Sequence, residues 1–412
     1  MKGWSFLKIK DYPIQIIDGD RGANYPTKEE FLEDGHCLFL NTGNVTLSGF
    51  KFDEKVFVTE EKHKKLRKGH LQRGDIVLTT RGTIGNVAFY DESIKYGVIR
   101  INSGMLILRP DLNKLNAQFF YGLVRSSIFQ QQADLFRYGA AQPQLPIGTL
   151  NHIRLPLPPL PTQKKIAGIL SAYDDAIENN LRRIKLLEEM AQITYEEWFV
   201  RLRFPGHTTI PINPATGLPE GWHTEALGKN VKFIKGKKLD ETFLEQQEGL
   251  LKIMLLDSLE SGNYKYTNPS NHTITERGDL VMCMDGARSS YVFYAECGVV
   301  GSTMAKIHSE TLPSSLLYLF FKSHLESLQT NNTGAAIPHA NKSFINNLNF
   351  LVPTKEILSL WESKLTPINS QVWNLRDQNQ RLREVRDILL PRLMTGVIDA
   401  EKYQPENFLK KN

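Results

Sequence analysis

An internal repeat constrains the fold of this 412-residue chain more than any other feature of its sequence. The segment RGDIVLTTRGTIGNVAFY begins at Arg73, and the similar segment RGDLVMCMDGARSSYVFY begins at Arg277, an offset of 204. The loop GAAQPQLP begins at Gly139 and its counterpart GAAIPHAN begins at Gly334, an offset of 195. An offset that shrinks along the chain indicates short loop deletions in the second copy. The sequence therefore predicts two domains with one fold.

Each copy contains the same kinds of element in the same order. In the first copy, DIVLTTRG, NVAFY and GMLIL have the composition of strands and are separated by glycine turns. One short amphipathic helix, NAQFFYGLVRSSIFQQQ, follows, and a loop rich in glycine and proline leads to a long helix. Each copy is therefore a β-rich domain followed by a helix.

The first long helix follows the proline-rich stretch LPLPPLPT. Thr162 is the expected N-cap, and the chain continues without glycine or proline from about 169 to 203. Apolar positions recur in steps of three and four, as in a coiled-coil seam. These positions are Leu170, Tyr173, Ile177, Leu181, Ile184, Leu187, Ala191 and Thr194.

The second long helix follows Pro353 and has the same spacing. Pro367 predicts a kink or a restart in it. Asn379 is a polar residue on the seam, of the kind that fixes the register of two helices. The seam positions are Ile368, Val372, Leu375, Asn379, Leu382, Val385 and Leu389.

Two such helices bury their seams best against each other. A helix of about 35 residues extends roughly 50 Å. We predict an α+β fold in which two β-rich domains with pseudo-two-fold symmetry are separated by an antiparallel coiled coil of two long helices. The predicted segments are 1–158, 159–206, 207–353 and 354–412. The alternative is that each helix packs only on its own domain.

Charge and composition constrain the function and location of the protein less than the repeat constrains its fold. The net charge of +5, from 50 basic and 45 acidic residues, is compatible with a polyanionic partner without establishing one. Cys37, Cys283 and Cys297 lie far from any CxxC pairing, which suits a reducing cytosol. The N-terminus lacks an apolar signal region and the apolar runs are too short for a membrane span. We expect a cytoplasmic protein without membrane contact.

Two similar domains held apart by a spacer suit a DNA site with two separated halves. Both copies of the repeat also carry a run of basic residues. KHKKLRKGHLQR in the first copy and KFIKGKKLDE in the second could contact phosphates, although such runs are often only a solvated surface. The basic residues of these runs are Lys62, Lys64, Lys65, Arg67, Lys68 and Arg73, with Lys232, Lys235, Lys237 and Lys238.

Polar side chains differ between the copies at matching positions. Arg81 corresponds to Asp285, and Gln142 and Gln144 correspond to Ile337 and His339. Arginine favours guanine, glutamine favours adenine, and a carboxylate can accept from cytosine. Two domains that read different half-sites would differ in this way. Ordinary surface drift between duplicated domains would produce such differences too.

Motifs of common catalytic sites are absent from the sequence. It contains no GxxxxGK[ST] phosphate loop, no HExxH, no GxSxG and no Asn/Asp-Pro-Pro-aromatic tetrad of adenine methyltransferases. We predict that the chain has no catalytic residue, no metal site and no bound cofactor.

The block GAAQPQLPIGTLNHIRLPLPPLPTQKKIAGILSAYDDAIENN and its echo GAAIPHANKSFINNLNFLVP resemble type I restriction–modification specificity subunits. The resemblance implies a bacterial or archaeal protein whose two domains each read half of a split site in double-stranded DNA. It implies that the helices set the spacing and dock two methyltransferase subunits, with motor-nuclease subunits in the full complex. S-adenosylmethionine, ATP and magnesium are then expected on these partner subunits. The second copy has VPTKEI in place of PPLPTQKKI and so departs from the family pattern where its helix begins.

The candidate residues follow from loop position and hydrogen-bonding capacity. For DNA contact they are Arg81, Thr83, Asn86, Gln142, Gln144, Lys64, Lys65, Arg67, Lys237, Lys238, Asp285, Arg288, His339, Asn341 and Lys342. For subunit docking they are Glu188, Glu189, Arg381 and Arg386. Two alternatives remain: a self-contained restriction or modification enzyme with degenerate motifs, and a coiled-coil scaffold that binds proteins.

Overall fold

The computed structural model describes residues 3–46, 48–136, 144–334 and 336–404. Its contacts group the chain into two units. Unit 1 comprises residues 1–180 and 377–412, and unit 2 comprises residues 181–376. Each long helix therefore contributes one part to each unit. The division into four consecutive segments stays a prediction.

Unit 1 is built on a central strand that is covered on both faces. Ile76 and Leu78 face one apolar core and Val77 faces another, because successive side chains of a strand point to opposite sides. The strands are β1 (Ser5–Lys8), β2 (Ile14–Asp18), β3 (Cys37–Leu40), β4 (Val45–Thr46), β5 (Gly49–Phe50), β6 (Phe57–Val58), β7 (Ile76–Thr79), β8 (Val87–Phe89), β9 (Ile99–Ile101), β10 (Met105–Pro110) and β11 (Arg154–Leu157). They form sheets in the orders β1-β11, β2-β10-β7-β8, β6-β3-β9 and β4-β5.

The predicted short helix of unit 1 is two helices. Ser126 between them is extended, with ψ of 158°, and its hydroxyl donates to Leu123 O at 2.6 Å. The single helix predicted from NAQFFYGLVRSSIFQQQ was therefore wrong. The helices are α1 (Glu60–Lys65), α2 (Ala117–Arg125), α3 (Ser127–Leu135), α4 (Ile147–Leu150) and α5 (Leu160–Tyr195).

Unit 2 repeats the arrangement with fewer strands. Its sheets have the orders β12-β21, β13-β20-β17-β18 and β15-β14-β19-β16, and a parallel pair, β14 with β19, matches β3 with β9. The strands are β12 (His223–Ala226), β13 (Lys232–Lys235), β14 (Leu251–Met254), β15 (Tyr266–Thr267), β16 (Ile274–Thr275), β17 (Leu280–Cys283), β18 (Val292–Tyr294), β19 (Gly298–Val300), β20 (Met304–His308) and β21 (Asn349–Val352). The helices are α6 (Leu256–Ser261), α7 (Ser314–Ser323), α8 (Leu325–Thr330), α9 (Lys342–Asn346) and α10 (Lys355–Met394).

The described residues also form five short helical turns that are not α-helical. Turns of 3-10 helix lie at Ile9–Asp11, Lys28–Glu30, Thr42–Asn44 and Leu227–Lys229, and a π-helical turn lies at Glu196–Val200.

The repeated RGD motif is a structural turn before a buried strand. Its glycine has φ of +92° in unit 1 and +96° in unit 2, a conformation that favours glycine. The Asp75 carboxylate accepts from the Gln72 backbone N–H at 2.7 Å, and Asp279 accepts from Glu276 at the same distance. The motif is shared because both units need this turn to start their central strand.

The ends of the long helices differ from the sequence prediction. Helix α5 begins at Leu160, so Thr162 lies inside its first turn and is not the N-cap. It gives way to the π-helical turn after Tyr195 and does not reach residue 203. Helix α10 begins at Lys355 and continues through Pro367 to Met394, so the helix does not restart at this proline.

In unit 1 the two helices pair antiparallel through polar contacts at the seam. Asn180 Nδ2 donates to Asn379 Oδ1 at 3.0 Å, and Arg386 donates to Asp174 at 2.7 Å. Asn180 is 7% exposed and Asn379 is 2% exposed. The prediction that Asn379 lies on the seam is confirmed. Its partner there, Asn180, was not among the predicted seam residues. The predicted seam residue Leu181 is 47% exposed.

In unit 2 the pairing is also antiparallel. Ile184 packs with Val372 and Leu375, whereas farther along α5 the ring of Trp198 packs on Trp361 with centroids 5.7 Å apart. Both helices thus enter the core of each unit. The predicted fold class is confirmed, and the alternative in which each helix packs only on its own domain is wrong.

The buried amide pair provides a stability test. Asn379→Leu should destabilise the chain by about 1–3 kcal/mol because it leaves the Asn180 amide buried without its partner. The double variant Asn180→Leu/Asn379→Leu should recover part of this loss, since both polar groups are then gone. Urea unfolding followed by circular dichroism measures these changes.

The control is Asn374→Leu, the same substitution at an exposed position of α10, which should change stability by less than about 0.5 kcal/mol. If the double variant loses as much as the two single variants together, the two amides do not interact.

Candidate nucleic-acid interface

In unit 1 a backbone bridge brings two predicted site residues together. Leu145 N donates to Thr80 O at 3.0 Å, and this bond pairs Arg81 with Gln144. Arg81 is exposed and Gln144 is half-buried. Gln142 lies outside the described residues. The predicted pair Arg81 and Gln144 therefore shares one place in the fold.

Unit 2 has the same bridge with different side chains. Ala340 N donates to Met284 O at 2.9 Å, which pairs Asp285 with His339. In the repeat, Ala340 corresponds to Leu145 and Met284 corresponds to Thr80. The sequence correspondence of Arg81 with Asp285 and of Gln144 with His339 is thus a structural equivalence.

The Asp285 carboxylate holds two neighbouring side chains. Its Oδ1 lies 2.8 Å from His339 Nδ1, and its Oδ2 accepts from Lys235 Nζ at 3.2 Å. Burial raises the pKa of Asp285, but the hydrogen bonds from His339 and Lys235 outweigh burial and the pKa is lowered overall. The carboxylate is therefore ionised at neutral pH.

Lys235 occupies a position that unit 1 fills with an acidic residue. A Cβ on Gly19 would lie 2.2 Å from Asn102 O, and a Cβ on Gly236 would lie 2.2 Å from Gly301 O. The residues before these two equivalent glycines are Asp18 and Lys235. The sequence identified Lys235 only as part of a basic run, since its contact with Asp285 depends on the fold.

Two other loop candidates of unit 1 have different surroundings. The Asn86 side chain donates to Val45 O at 2.9 Å, which ties the β7–β8 loop to β4. Thr83 is exposed, and its carbonyl accepts from the Thr79 hydroxyl. Asn86 thus has a structural role that its sequence position did not reveal.

The remaining candidates of unit 2 also take part in local contacts. The Arg288 guanidinium lies 3.5 Å from Glu260, and the Asn341 side chain caps α9 by accepting from Phe344 N at 3.1 Å. Lys342 begins that helix and is exposed. Asn341 therefore stabilises the loop that carries His339.

The basic run of unit 1 lies on and after α1. Lys64 and Lys65 are exposed and pair with Glu60 and Glu61 one turn earlier, at 2.7 and 2.6 Å. Arg67 is exposed beyond the helix. Exposed pairs of this kind contribute little to stability, so both lysines can exchange a carboxylate for a phosphate.

The lysines of unit 2 lie just after β13. Lys237 Nζ donates to Asn271 O at 2.9 Å, and Lys238 is exposed. Neither forms part of a buried network.

A buried arginine holds the basic segment of unit 1 in place. Arg100, 6% exposed, donates to the backbone oxygens of His63, Leu66 and Lys68 at 2.6–3.0 Å. Its Nε donates to His63 Nδ1 at 3.1 Å. Nothing in the sequence pattern distinguished Arg100 from a strand residue exposed to solvent.

This contact makes the basic segment sensitive to acid. Burial, together with the nearby Arg100 guanidinium, lowers the pKa of His63 from its ordinary 6.5 to about 4. The unfolded chain binds the proton more readily than the folded chain, so His63 contributes stability above pH 6.5 that is lost as the pH falls toward 4.

His63→Gln removes this titration and keeps an acceptor for Arg100. The fall in Tm between pH 7.5 and pH 5 should be smaller in this variant than in the parent chain by about 2–4 °C. Scanning calorimetry at several pH values measures the difference. His308→Gln, at an exposed position of unit 2, is the control and should keep the parent's pH dependence. An equal fall in all three chains would contradict the assignment.

The predicted docking residues divide into two groups. Glu189 and Arg381 are exposed. Glu188 pairs with Arg376 at 2.7 Å within unit 2. Arg386 is only 17% exposed and is held by Asp174, so the interpretation of Arg386 as an exposed docking residue was wrong.

Helix α5 exposes an apolar stripe in unit 2. Leu186, Met190 and Ile193 are 64%, 45% and 59% exposed and recur at helical spacing. The spacing of apolar residues in the sequence predicted the seam of this helix but not this second apolar face.

Over the ranges that the structure describes, no three His, Cys, Asp or Glu side chains lie close enough to hold a metal ion together. The same ranges contain no helix long and apolar enough to cross a membrane.

Comparison with known proteins identifies the family of this chain. The family model described as type I restriction modification DNA specificity domain matches residues 1–189 and 219–366. The match covers both copies of the repeat and more than half of the chain. The chain belongs to this family, as the sequence resemblance predicted.

Individual relatives extend over nearly the whole chain. The type I restriction enzyme MjaIX specificity subunit of Methanocaldococcus jannaschii is 24% identical and is matched over 97% of this chain and 95% of its own length. The HindI specificity subunit of Haemophilus influenzae is 22% identical, over 94% and 99%.

A solved structure shares the fold. The crystal structure of the type I restriction–modification system S subunit from M. genitalium matches with a TM-score of 0.56 and 16% identity, over 95% of this chain and 96% of that one.

Proposed function

We propose that this chain is the DNA-recognition subunit of a type I restriction–modification complex, in which each unit reads one half of a split site. The observation that carries the proposal is the pair of equivalent bridges, Arg81 with Gln144 and Asp285 with His339. The family match supports it across both copies. On this proposal the chain has no catalytic centre, and it acts in the cytoplasm of a bacterium or archaeon.

The chemistry of the two bridges suits different base sequences. Arg81 presents guanidinium donors, which favour guanine, and Gln144 presents an amide, which favours adenine. Unit 2 presents an imidazole and a carboxylate at the same backbone positions. Each base pair has its own pattern of donors and acceptors in the major groove, so one scaffold with two side-chain sets can read two half-sites.

The basic residues around these bridges would supply affinity without sequence preference. The lysines of α1 and of the loop after β13 are exposed or bound only through exposed contacts. Phosphate contacts of this kind position a protein on DNA and make its binding sensitive to salt.

The helices would set the distance between half-sites and dock two methyltransferase subunits. The exposed stripe of Leu186, Met190 and Ile193 supports docking, because an apolar face at helical spacing suits a partner helix. S-adenosylmethionine would then be bound by those subunits, and ATP and magnesium would be used with the motor-nuclease subunits.

Arg81→Ala tests base reading. With methyltransferase subunits present, the variant should lose about 5- to 100-fold of its discrimination at one base pair of one half-site, the range of a specific base contact. Competition binding against every single-base substitution of the site measures this loss. The site itself is found by mapping methylated adenines in cells that express the complex.

Lys114→Ala, a side chain 72% exposed and outside the candidate interface, is the control. A uniform loss in Arg81→Ala over all bases would mean a phosphate contact. A continuous palindrome in place of a split motif would contradict recognition by two units. Methyl transfer or cleavage by the chain alone would favour the self-contained enzyme, and salt-insensitive binding would favour the protein scaffold.

A double variant tests the docking stripe. Leu186→Glu/Ile193→Glu should reduce copurification of the methyltransferase subunits at least about 10-fold, because two charges would be buried at the contact. The fold should persist, since both side chains are exposed. Leu244→Glu, 80% exposed elsewhere in unit 2, is the control and should copurify normally. Undiminished copurification of the double variant would place docking elsewhere.

A further inference from the structure

We propose that His339 is the side chain of unit 2 that contacts a base, and that Asp285 is a positioning residue that orients its imidazole. The ligand would be the exocyclic amino group of an adenine or a cytosine in the major groove. This inference rests on the proposed function and assigns separate roles to two residues that the sequence could not tell apart.

The carboxylate of Asp285 is already engaged. One oxygen faces His339 Nδ1 at 2.8 Å and the other accepts from Lys235 Nζ at 3.2 Å. The Asp285 side chain is 25% exposed, whereas His339 and Lys235 are 49% and 48% exposed. The two side chains that Asp285 holds are thus more accessible to a ligand than the carboxylate itself.

The contact with Asp285 also fixes the tautomer of His339. An ionised carboxylate can only accept a hydrogen bond, so Nδ1 must carry the proton. In the neutral imidazole, Nε2 is then an acceptor. Phosphate oxygens also only accept, so Nε2 in this form cannot bond to the DNA backbone. The amino groups of adenine and cytosine are the donors that base edges present in the major groove.

The loop that carries His339 is held at its backbone. His339 N donates to Thr333 O at 2.7 Å, and Thr333 N donates back to His339 O at 2.9 Å. The next residue, Ala340, forms the bridge to Met284. A side chain that is fixed at both its backbone and its ring is suited to reading a base, because little conformational freedom remains to be lost on binding.

Unit 1 presents the opposite chemistry at the same place. Arg81 can only donate, and it replaces Asp285. Asp18 occupies the position of Lys235 and lies 3.0 Å from Arg21. The acidic and basic residues have therefore exchanged positions between the units. Unit 1 therefore has guanidinium donors at the position of Asp285 and the amide of Gln144 at the position of His339, which predicts different bases in the two half-sites.

The experiment uses the full chain with its methyltransferase subunits and the DNA site mapped in cells. His339→Ala should reduce discrimination about 5- to 10-fold at one base pair, the lower end of what a base contact supplies. Discrimination in the half-site read by unit 1 should remain unchanged, which shows that the variant is folded. Competition binding at pH 8 against all single-base substitutions measures both effects.

Variants of Asp285 separate positioning from direct contact. Asp285→Ala should lose discrimination at the same base pair as His339→Ala, because the imidazole is no longer oriented. Asp285→Asn keeps an oxygen that accepts from Nδ1 and should retain most of the discrimination. His339→Gln should keep binding with a preference for adenine, as glutamine favours that base.

Three results would overturn the inference while leaving the proposed function intact. One is a loss in Asp285→Ala with none in His339→Ala, which would make Asp285 the contact. Another is a uniform loss in His339→Ala at all bases with a smaller salt dependence, which would indicate a phosphate contact. The third is unchanged discrimination in both variants. If the parent complex itself shows no sequence preference, the proposed function fails instead.

Discussion

The antiparallel pairing of α5 and α10 is the contact on which both units depend. In unit 1 the buried amides of Asn180 and Asn379 meet at the seam between the two helices. Burying an amide without a partner costs free energy, so this pair favours one register of the helices over its neighbours. The core of unit 1 then receives Leu389 and Leu393 from α10, although its strands come from the first part of the chain. The core of unit 2 likewise contains Trp361 of α10.

On this common scaffold the two units differ where side chains face outward. The RGD turn recurs with the same bond from a backbone N–H to the aspartate carboxylate. The bridge that joins the β7–β8 or β17–β18 loop to the segment before α4 or α9 recurs with the same backbone bond. The side chains on the bridge change from a cation and an amide to a carboxylate and an imidazole. Backbone bonds do not depend on side-chain identity, so the interface can vary without loss of the fold.

Several residues have roles that no local pattern reveals. Arg100 occurs in a short strand, yet it organises the basic segment through three carbonyls distant in sequence. Arg386 has the spacing of an exposed helix residue, but Asp174 of the other helix draws it into the seam. Asn86 lies in the β7–β8 loop, and its amide donates to a backbone oxygen of the neighbouring strand β4. Each role is set by a partner that only folding brings close.

The sequence by itself determined the repeat, the α+β class, the two long helices and the correspondence of Arg81 with Asp285 and of Gln144 with His339. Periodicity and glycine turns are local properties, and a duplication is visible as similarity. The tertiary structure decided where the helices begin and end, which amide faces Asn379, and that Asp285 is held between His339 and Lys235. Those outcomes depend on contacts between segments far apart in the chain, and sequence spacing does not encode which of them meet.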